Sequence, residues 1–285
     1  MKVIVTGAKG QLGTDVTALL KERGIDVFPL DIPEYDITDS ESVKKAFDEF
    51  SPDAVIHLAA FTAVDKAESD RETCRRVNVT GTENIARLCS ERNIKILYTS
   101  TDYVFGGEGE EFYETDSPKA PLNYYGETKL LGEQAVERMC EKHFIVRISW
   151  VFGPCGKNFV YTMMRLGAEK DEIRVVDDQV GSPTYTRDLA PLMCDMIQSE
   201  KYGVYHATNE GVCSFAEFAD EIMKAASLKA KIIPITSDEY PSAAKRPHNS
   251  RLSKKSLDEA GFSRLPGWQD AVERFVALTK EETAI

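Results

Sequence analysis

Apolar residues along the chain fall into short runs, separated by longer stretches in which they recur at helical spacing. Runs at 3–6, 26–30, 54–58, 94–98 and 144–148 read as strands. Between them, 11–23, a segment from Asp39 to about Phe50, 71–92 and much of 123–142 read as helices. Asp39-Ser40-Glu41 gives the second of these an N-cap candidate and an acid in its first turn. The strand runs are almost continuously apolar, as expected when both faces of a sheet are covered. Such alternation predicts an α/β chain of parallel strands with right-handed helical crossovers.

After Phe152-Gly153-Pro154 the rhythm loosens. A short strand is expected at 175–176, and helices at 188–199, 214–226 and 268–280. Pro234, Pro241 and Pro247 punctuate a loop-rich stretch. This predicts a dinucleotide-binding domain over 1–152 and a smaller, mainly substrate-binding lobe over 153–285, with segments of the latter free to return to the main sheet. The chain shows no internal repeat and no low-complexity tract.

Composition narrows the partners. The 285 residues include 47 acidic and 35 basic side chains, a formal charge of −12. That argues against nucleic acid as a partner, since phosphate backbones favour basic surfaces. The six cysteines are scattered, and none has zinc-type spacing, which fits buried thiols in a reducing cytosol. The opening Met1-Lys2-Val3-Ile4-Val5 looks like a strand rather than a secretory segment, and no apolar run approaches the roughly 18 residues a spanning helix needs. The expectation is a cytoplasmic protein with no membrane partner.

Thr6-Gly7-Ala8-Lys9-Gly10-Gln11-Leu12-Gly13 joins the first strand to the first helix. Gly7 permits a tight turn, Gly10 lets backbone approach a pyrophosphate, and Gly13 lets the helix pack on the sheet. The backbone N–H groups of Gln11 and Leu12 would face the phosphates at the helix start. The chain therefore reads as a Rossmann-type doubly wound parallel sheet with a smaller C-terminal lobe. Asp31 ends the second strand, where a carboxylate accepts hydrogen bonds from the adenosine ribose and repels a 2′-phosphate, so the local chemistry leans toward NADH. Asp36 and Ile37 lie where a loop could approach the adenine. Leu58, Ala59 and Ala60 would let backbone pass close to the cofactor, whereas His57 reads as a structural strand residue.

Tyr125 and Lys129 are four positions apart, hence on one helical face. A carbonyl reductase needs a proton donor where hydride arrives. A phenol with an ordinary pKa near 10 becomes a better acid beside an ammonium. Lys129 could also bond the nicotinamide ribose. Thr101 follows a strand at the sheet's C-terminal edge, where its hydroxyl can hold a substrate carbonyl.

With these residues in view, the chain resembles the extended short-chain dehydrogenase/reductase superfamily and, within it, the dTDP-4-dehydrorhamnose reductase family. The resemblance covers nearly the whole chain. It is carried by the glycine turn, Ala63-Val64-Asp65-Lys66-Ala67-Glu68, Ser100-Thr101-Asp102-Tyr103-Val104-Phe105, Pro121-Leu122-Asn123, the Tyr125-Gly126-Glu127-Thr128-Lys129 segment, Ser149-Trp150-Val151, Asp178-Gln179 and Arg246-Pro247-His248-Asn249-Ser250-Arg251-Leu252. It implies hydride transfer from NADPH or NADH to C4 of dTDP-4-dehydro-L-rhamnose, yielding dTDP-L-rhamnose for a surface polysaccharide. Tyr125 would be the acid, Lys129 its electrostatic partner and Thr101 the carbonyl donor. Asp102, Tyr103 and Trp150 would line the sugar pocket, and Arg246 would meet a nucleotide phosphate. The family's ready use of NADPH tempers the inference from Asp31.

The resemblance is also compatible with a homodimer. Some members are associated with Mg²⁺ held by acids at a dimer interface. Asp15 offers one such carboxylate, but Leu278 stands where a second acid is expected, so no required metal is predicted. Two alternatives remain. A nucleotide-sugar epimerase or dehydratase could share the fold, although a dehydratase would carry an acid at the position of Tyr103. A non-catalytic subunit, like the regulatory partner of methionine adenosyltransferase, would have no need of the Thr101, Tyr125 and Lys129 set.

Overall fold

The computed structural model describes residues 1–283. The first half runs β1 (Lys2–Thr6), α1 (Gln11–Glu22), β2 (Asp26–Leu30), α2 (Ser40–Phe50), β3 (Ala54–His57), α3 (Val64–Ser69), α4 (Arg71–Arg75), a π-helical segment (Arg76–Gly81), α5 (Thr82–Glu91), β4 (Lys95–Thr101), a 3-10 turn (Asp102–Val104), α6 (Tyr124–Met139) and β5 (His143–Ile148). The second half continues with β6 (Val151–Phe152), α7 (Phe159–Glu169), β7 (Glu172–Val176), β8 (Val180–Gly181), β9 (Thr184–Tyr185), α8 (Thr186–Gln198) and β10 (Gly203–His206). It ends with β11 (Cys213–Ser214), α9 (Phe215–Ala226), β12 (Lys231–Ile235), β13 (Asn249–Ser250), α10 (Lys255–Ala260) and α11 (Trp268–Thr283).

Among the described residues the main sheet has six strands in the order β10-β5-β4-β3-β1-β2, every pair parallel. Val3, Val5, Ile56, Leu97 and Val146 point to one buried face, against α1 and α8. Ile4, Val55, Ile96, Tyr98 and Ile145 point to the other, against α2, α5 and α6. This is the two-sided burial implied by the continuous apolar runs. The sixth strand, β10, and helix α8 come from the second half of the chain and complete the first layer. A separate core around Phe152, Phe218, Trp268 and Phe275 holds α7, α9 and α11 together.

The stretch expected as one helix over 71–92 is interrupted. The π-helical turn inserts an extra residue and aims Asn78 inward. Its amide oxygen accepts the Phe61 backbone N–H at 2.8 Å, and its nitrogen donates to Phe61 O at 3.2 Å and to Thr128 Oγ1 at 3.0 Å. A regular helix would have carried this side chain elsewhere, and hydrogen bonds to a loop and a neighbouring helix offset the poorer backbone geometry.

Helix α6 is tied to the sheet by a buried ion pair. Arg147 of β5 donates from Nε and Nη2 to the two oxygens of Glu133 at 2.8 and 2.7 Å, and from Nη1 to Thr115 O at 2.8 Å. Both side chains are essentially excluded from water. Removing one partner strands the other charge, a change that costs about 3–5 kcal/mol in comparable pairs. Arg147→Leu is expected to lower the thermal unfolding midpoint of the ligand-free protein strongly. A midpoint within a degree of the parent would show that the pair does not hold the helix.

Candidate active site

A cleft of about 890 Å³ opens along the C-terminal edge of the main sheet, where ligands bind in open α/β folds. The glycine turn forms one end. Gly7 adopts φ +65°, and a Cβ on Gly13 would come within 2.1 Å of the Gly7 carbonyl oxygen. The turn can therefore coil tightly and start α1 with bare backbone toward the cleft. Thr6 fixes the neighbouring strand end, since its Oγ1 accepts the backbone N–H groups of Leu58 and Ala59, each at 3.1 Å. His57 lies 2.7 Å from the same hydroxyl and 3.1 Å from Thr82 Oγ1. Burial pushes its pKa down to about 3, so the ring stays neutral and acts as a structural link.

Every cofactor candidate named from the sequence lines this cleft, including Gln11, Leu12, Asp36, Ile37 and Ala60. Asp31 is more committed than its position suggested. One carboxylate oxygen accepts the Lys9 backbone N–H at 2.8 Å, and the other accepts Ile32 N–H at 2.9 Å. The Lys9 ammonium is close by, on Ile32 O at 3.0 Å and Glu34 at 3.1 Å. A 2′-phosphate would thus meet the Lys9 cation as well as the Asp31 and Glu34 carboxylates.

At the other end, Asn123 caps α6 by accepting the Gly126 N–H at 2.9 Å. A Cβ on Gly126 would lie 2.3 Å from the Tyr103 carbonyl oxygen, so only glycine lets α6 settle against the 3-10 turn. That contact sets Tyr125 beside Thr101 and Tyr103; the two tyrosine rings meet edge to face at 5.8 Å. Lys129 is buried, with Nζ donating to Thr99 O at 2.7 Å and lying 4.1 Å from the centre of the Tyr98 ring.

The sequence suggested that this ammonium would make Tyr125 a stronger acid. In the ligand-free cleft burial wins instead. It drives the phenol's pKa well above its usual value, helped by the Asp102 charge and opposed by the Thr101 hydroxyl. Burial also lowers Lys129 to about 7, although Glu133 pulls the other way. Burial therefore keeps the phenol neutral and brings the lysine into the range where both its forms are populated near neutral pH.

Asp102, Tyr103 and Trp150 line the cleft as expected. Trp150 takes a left-handed backbone conformation, φ 49°, and stacks on Phe215 at 3.8 Å. Phe215 and Lys157 also line the cleft and carry no motif by which the sequence could have marked them. Arg246 is the exception among the candidates. It is not part of the cleft lining, and its guanidinium is clamped on Asp65 at 2.6 and 3.1 Å beside Tyr103. A phosphate would have to draw it from that partner. Asp15 lies outside the cleft, 3.8 Å from Arg187, and among the described residues no group of acids, histidines and cysteines could hold a metal ion.

The cleft fits a reduced dinucleotide on grounds of its own. Its glycine end is bare backbone at a helix start. At the chemical end, Thr101, Tyr125 and Lys129 line the cleft together. A glycine-turn cleft that also gathers a phenol, a buried lysine and a threonine hydroxyl defines a Rossmann-type oxidoreductase of the short-chain dehydrogenase/reductase class.

Comparison with known proteins narrows the class. The family described as RmlD substrate binding domain matches residues 1–281, and the chain belongs to that family. It is 40% identical over 275 residues to the spore coat polysaccharide biosynthesis protein SpsK of Bacillus subtilis, covering 96% of each chain. It is 37% identical over 302 residues to the dTDP-4-dehydrorhamnose reductase of Escherichia coli, covering both chains entirely. The crystal structure of dTDP-4-dehydrorhamnose reductase from Bacillus anthracis in complex with NADP superposes with a TM-score of 0.95 at 42% identity, covering 97% of this chain and 99% of that one.

Lys129 also makes stability depend on pH. A lysine pKa near 10.4 in the unfolded chain falls to about 7 in the fold. Between those values the unfolded chain binds more protons, so stability rises with pH; below about 7 the cost of burying the cation is fully present. Denaturant midpoints at pH 7 and pH 9 are expected to climb in the parent and to climb less in Lys129→Met. Equal slopes would mean that the ammonium is not desolvated.

Proposed function

We propose that this protein reduces the C4 ketone of dTDP-4-dehydro-L-rhamnose to dTDP-L-rhamnose with NADPH or NADH, within nucleotide-sugar and surface polysaccharide biosynthesis. The observation that carries this reading is the convergence of Tyr125, Lys129 and Thr101 at one end of a glycine-turn cleft. End-to-end similarity to dTDP-4-dehydrorhamnose reductases, one of them in complex with NADP, supports it.

The glycine turn, Gln11 and Leu12 would hold the pyrophosphate, and Lys129 would reach the nicotinamide ribose. Bound there, the cofactor supplies the hydride. Tyr125 gives its proton to the ketone oxygen, and Thr101 orients that oxygen. The Lys129 ammonium offsets the negative charge left on the phenol. Tyr103 and Trp150 wall the sugar and exclude water. Arg246, exchanging Asp65 for the diphosphate, would anchor the nucleotide half.

No helix among the described residues is long and apolar enough to cross a membrane. All six cysteines are free, which supports a cytoplasmic location. A homodimer is compatible with this fold, and no single segment establishes it.

The deciding assay supplies enzymatically generated dTDP-4-keto-sugar with a 3,5-epimerase, offers each reduced nicotinamide in turn, and identifies the product. Stoichiometric cofactor oxidation with formation of dTDP-L-rhamnose is expected. Conversion of the sugar without net oxidation would point to an epimerase, and cofactor binding without oxidation to a non-catalytic subunit. In the same assay Tyr125→Phe is expected to lose about 10²–10⁴-fold in turnover with its fold intact. A near-normal rate would remove the proposed acid.

A further inference from the structure

A threonine hydroxyl has one hydrogen to give and two lone pairs to receive. In this structure the hydrogen of Thr101 goes to Asp102 Oδ1 at 3.0 Å, and one lone pair takes the Tyr103 backbone N–H at 3.2 Å. The Tyr125 phenol lies beside the same hydroxyl. While Asp102 is a charged acceptor, it competes with a ketone oxygen for the one hydrogen of Thr101. Protonation of Asp102 would remove that competition.

Asp102 is placed for such a change. It is buried at the cleft, and its second oxygen accepts the Ser250 hydroxyl at 2.5 Å. Ser250, also buried, arrives on β13 from 148 residues further along the chain. The titratable groups around the carboxyl are Tyr103 on the same turn and Tyr125 on α6, both held neutral by burial. Arg246 and its partner Asp65 stand beyond Tyr103, and Lys129 of α6 is engaged by the Thr99 carbonyl. No cation pairs with Asp102 among the described residues. Burial accordingly pushes its pKa up to about 6, against the opposing pull of Ser250 and Thr101.

We propose that Asp102 and Ser250 form a positioning pair that sets the direction of the Thr101 hydrogen, toward the carboxyl group when Asp102 is charged and toward the ketone oxygen when Asp102 is protonated. In the acid form, Asp102 donates its own hydrogen to Thr101, which releases the threonine hydrogen to the cleft. One proton is taken up from solvent by the carboxyl group, and no covalent bond in the sugar changes in this step. The inference rests on the reductase reading and deepens it.

Two measurements test it. The first follows the carboxyl carbons of ¹³C-aspartate-labelled, ligand-free protein by NMR across pH, with Asp102→Asn assigning the Asp102 signal. The second follows kcat and KM for the dTDP-4-keto-sugar across the same range. In wild type the carboxyl should titrate near 6 in the free protein, kcat/KM should fall as pH rises through that value, and kcat should show the corresponding fall at the pKa of the substrate complex with little change in KM. Ser250→Ala removes a hydrogen bond that favours the charged form, so it should move both the titration and the fall in kcat to higher pH. Any fall belonging to Lys129 should stay in place. In Asp102→Asn, whose amide nitrogen donates to Thr101 at every pH, the pH profile of the remaining activity should lack the Asp102 limb, whatever the absolute rate.

A titration that shifts in Ser250→Ala while the kcat limb stays still would overturn the pair's role, as would an Asp102→Asn enzyme that keeps the limb. An Asp102 carboxyl that does not titrate between pH 5 and 8 would do the same. Wild type that turns over without this limb sinks the positioning pair alone. Wild type that never reduces the sugar sinks the reductase reading and, with it, any role of Thr101 toward a ketone.

Discussion

A lysine ammonium held out of water at the end of a parallel sheet is the constraint around which the site is organised. The Lys129 side chain crosses from α6 to the Thr99 carbonyl and lies over the Tyr98 ring. Those two contacts return part of the solvation lost on burial, and the remainder appears as its pKa near 7. The lysine can reach that carbonyl only if α6 sits at one height on the sheet. The same height puts Tyr125, one turn earlier, against Thr101. The Asn78 bonds to Thr128 and Phe61, the Arg147–Glu133 pair and the approach of Gly126 to the Tyr103 carbonyl all serve that register.

The cleft is electrostatically uncommitted. Tyr125 and Lys129 are pushed toward neutrality, and Asp102 is raised toward it. A low-dielectric site of this kind amplifies whatever charge enters. The pyrophosphate of a dinucleotide and the developing oxyanion of a ketone would each find groups whose protonation is free to respond. Arg246 stays paired with Asp65 outside this cleft lining.

Site and scaffold each draw on both halves of the chain in a way the chain order conceals. The sheet needs β10 and α8 from the second half to cover β5 and α1. The cleft, in turn, needs Trp150 and Phe215 as its far wall. Breaking the chain near Phe152 would therefore leave the first sheet without its sixth strand and the cleft without its far wall.

Local periodicity and turn chemistry made the first five strands, their helices, the glycine turn and the Tyr125–Lys129 face legible. Each is fixed by residues a few positions apart, where backbone geometry leaves few choices. The near-full resemblance to one reductase family rested on motifs of the same local kind. The sequence could not show that Asn78 sits on a π turn, that Arg246 is clamped on Asp65, or that Ser250 reaches Asp102. Nor could it show that burial outweighs the neighbouring ammonium at Tyr125. Those outcomes depend on which distant segments share a volume and how much water they exclude, and the desolvation of a side chain is a property of the packed assembly rather than of any stretch of chain.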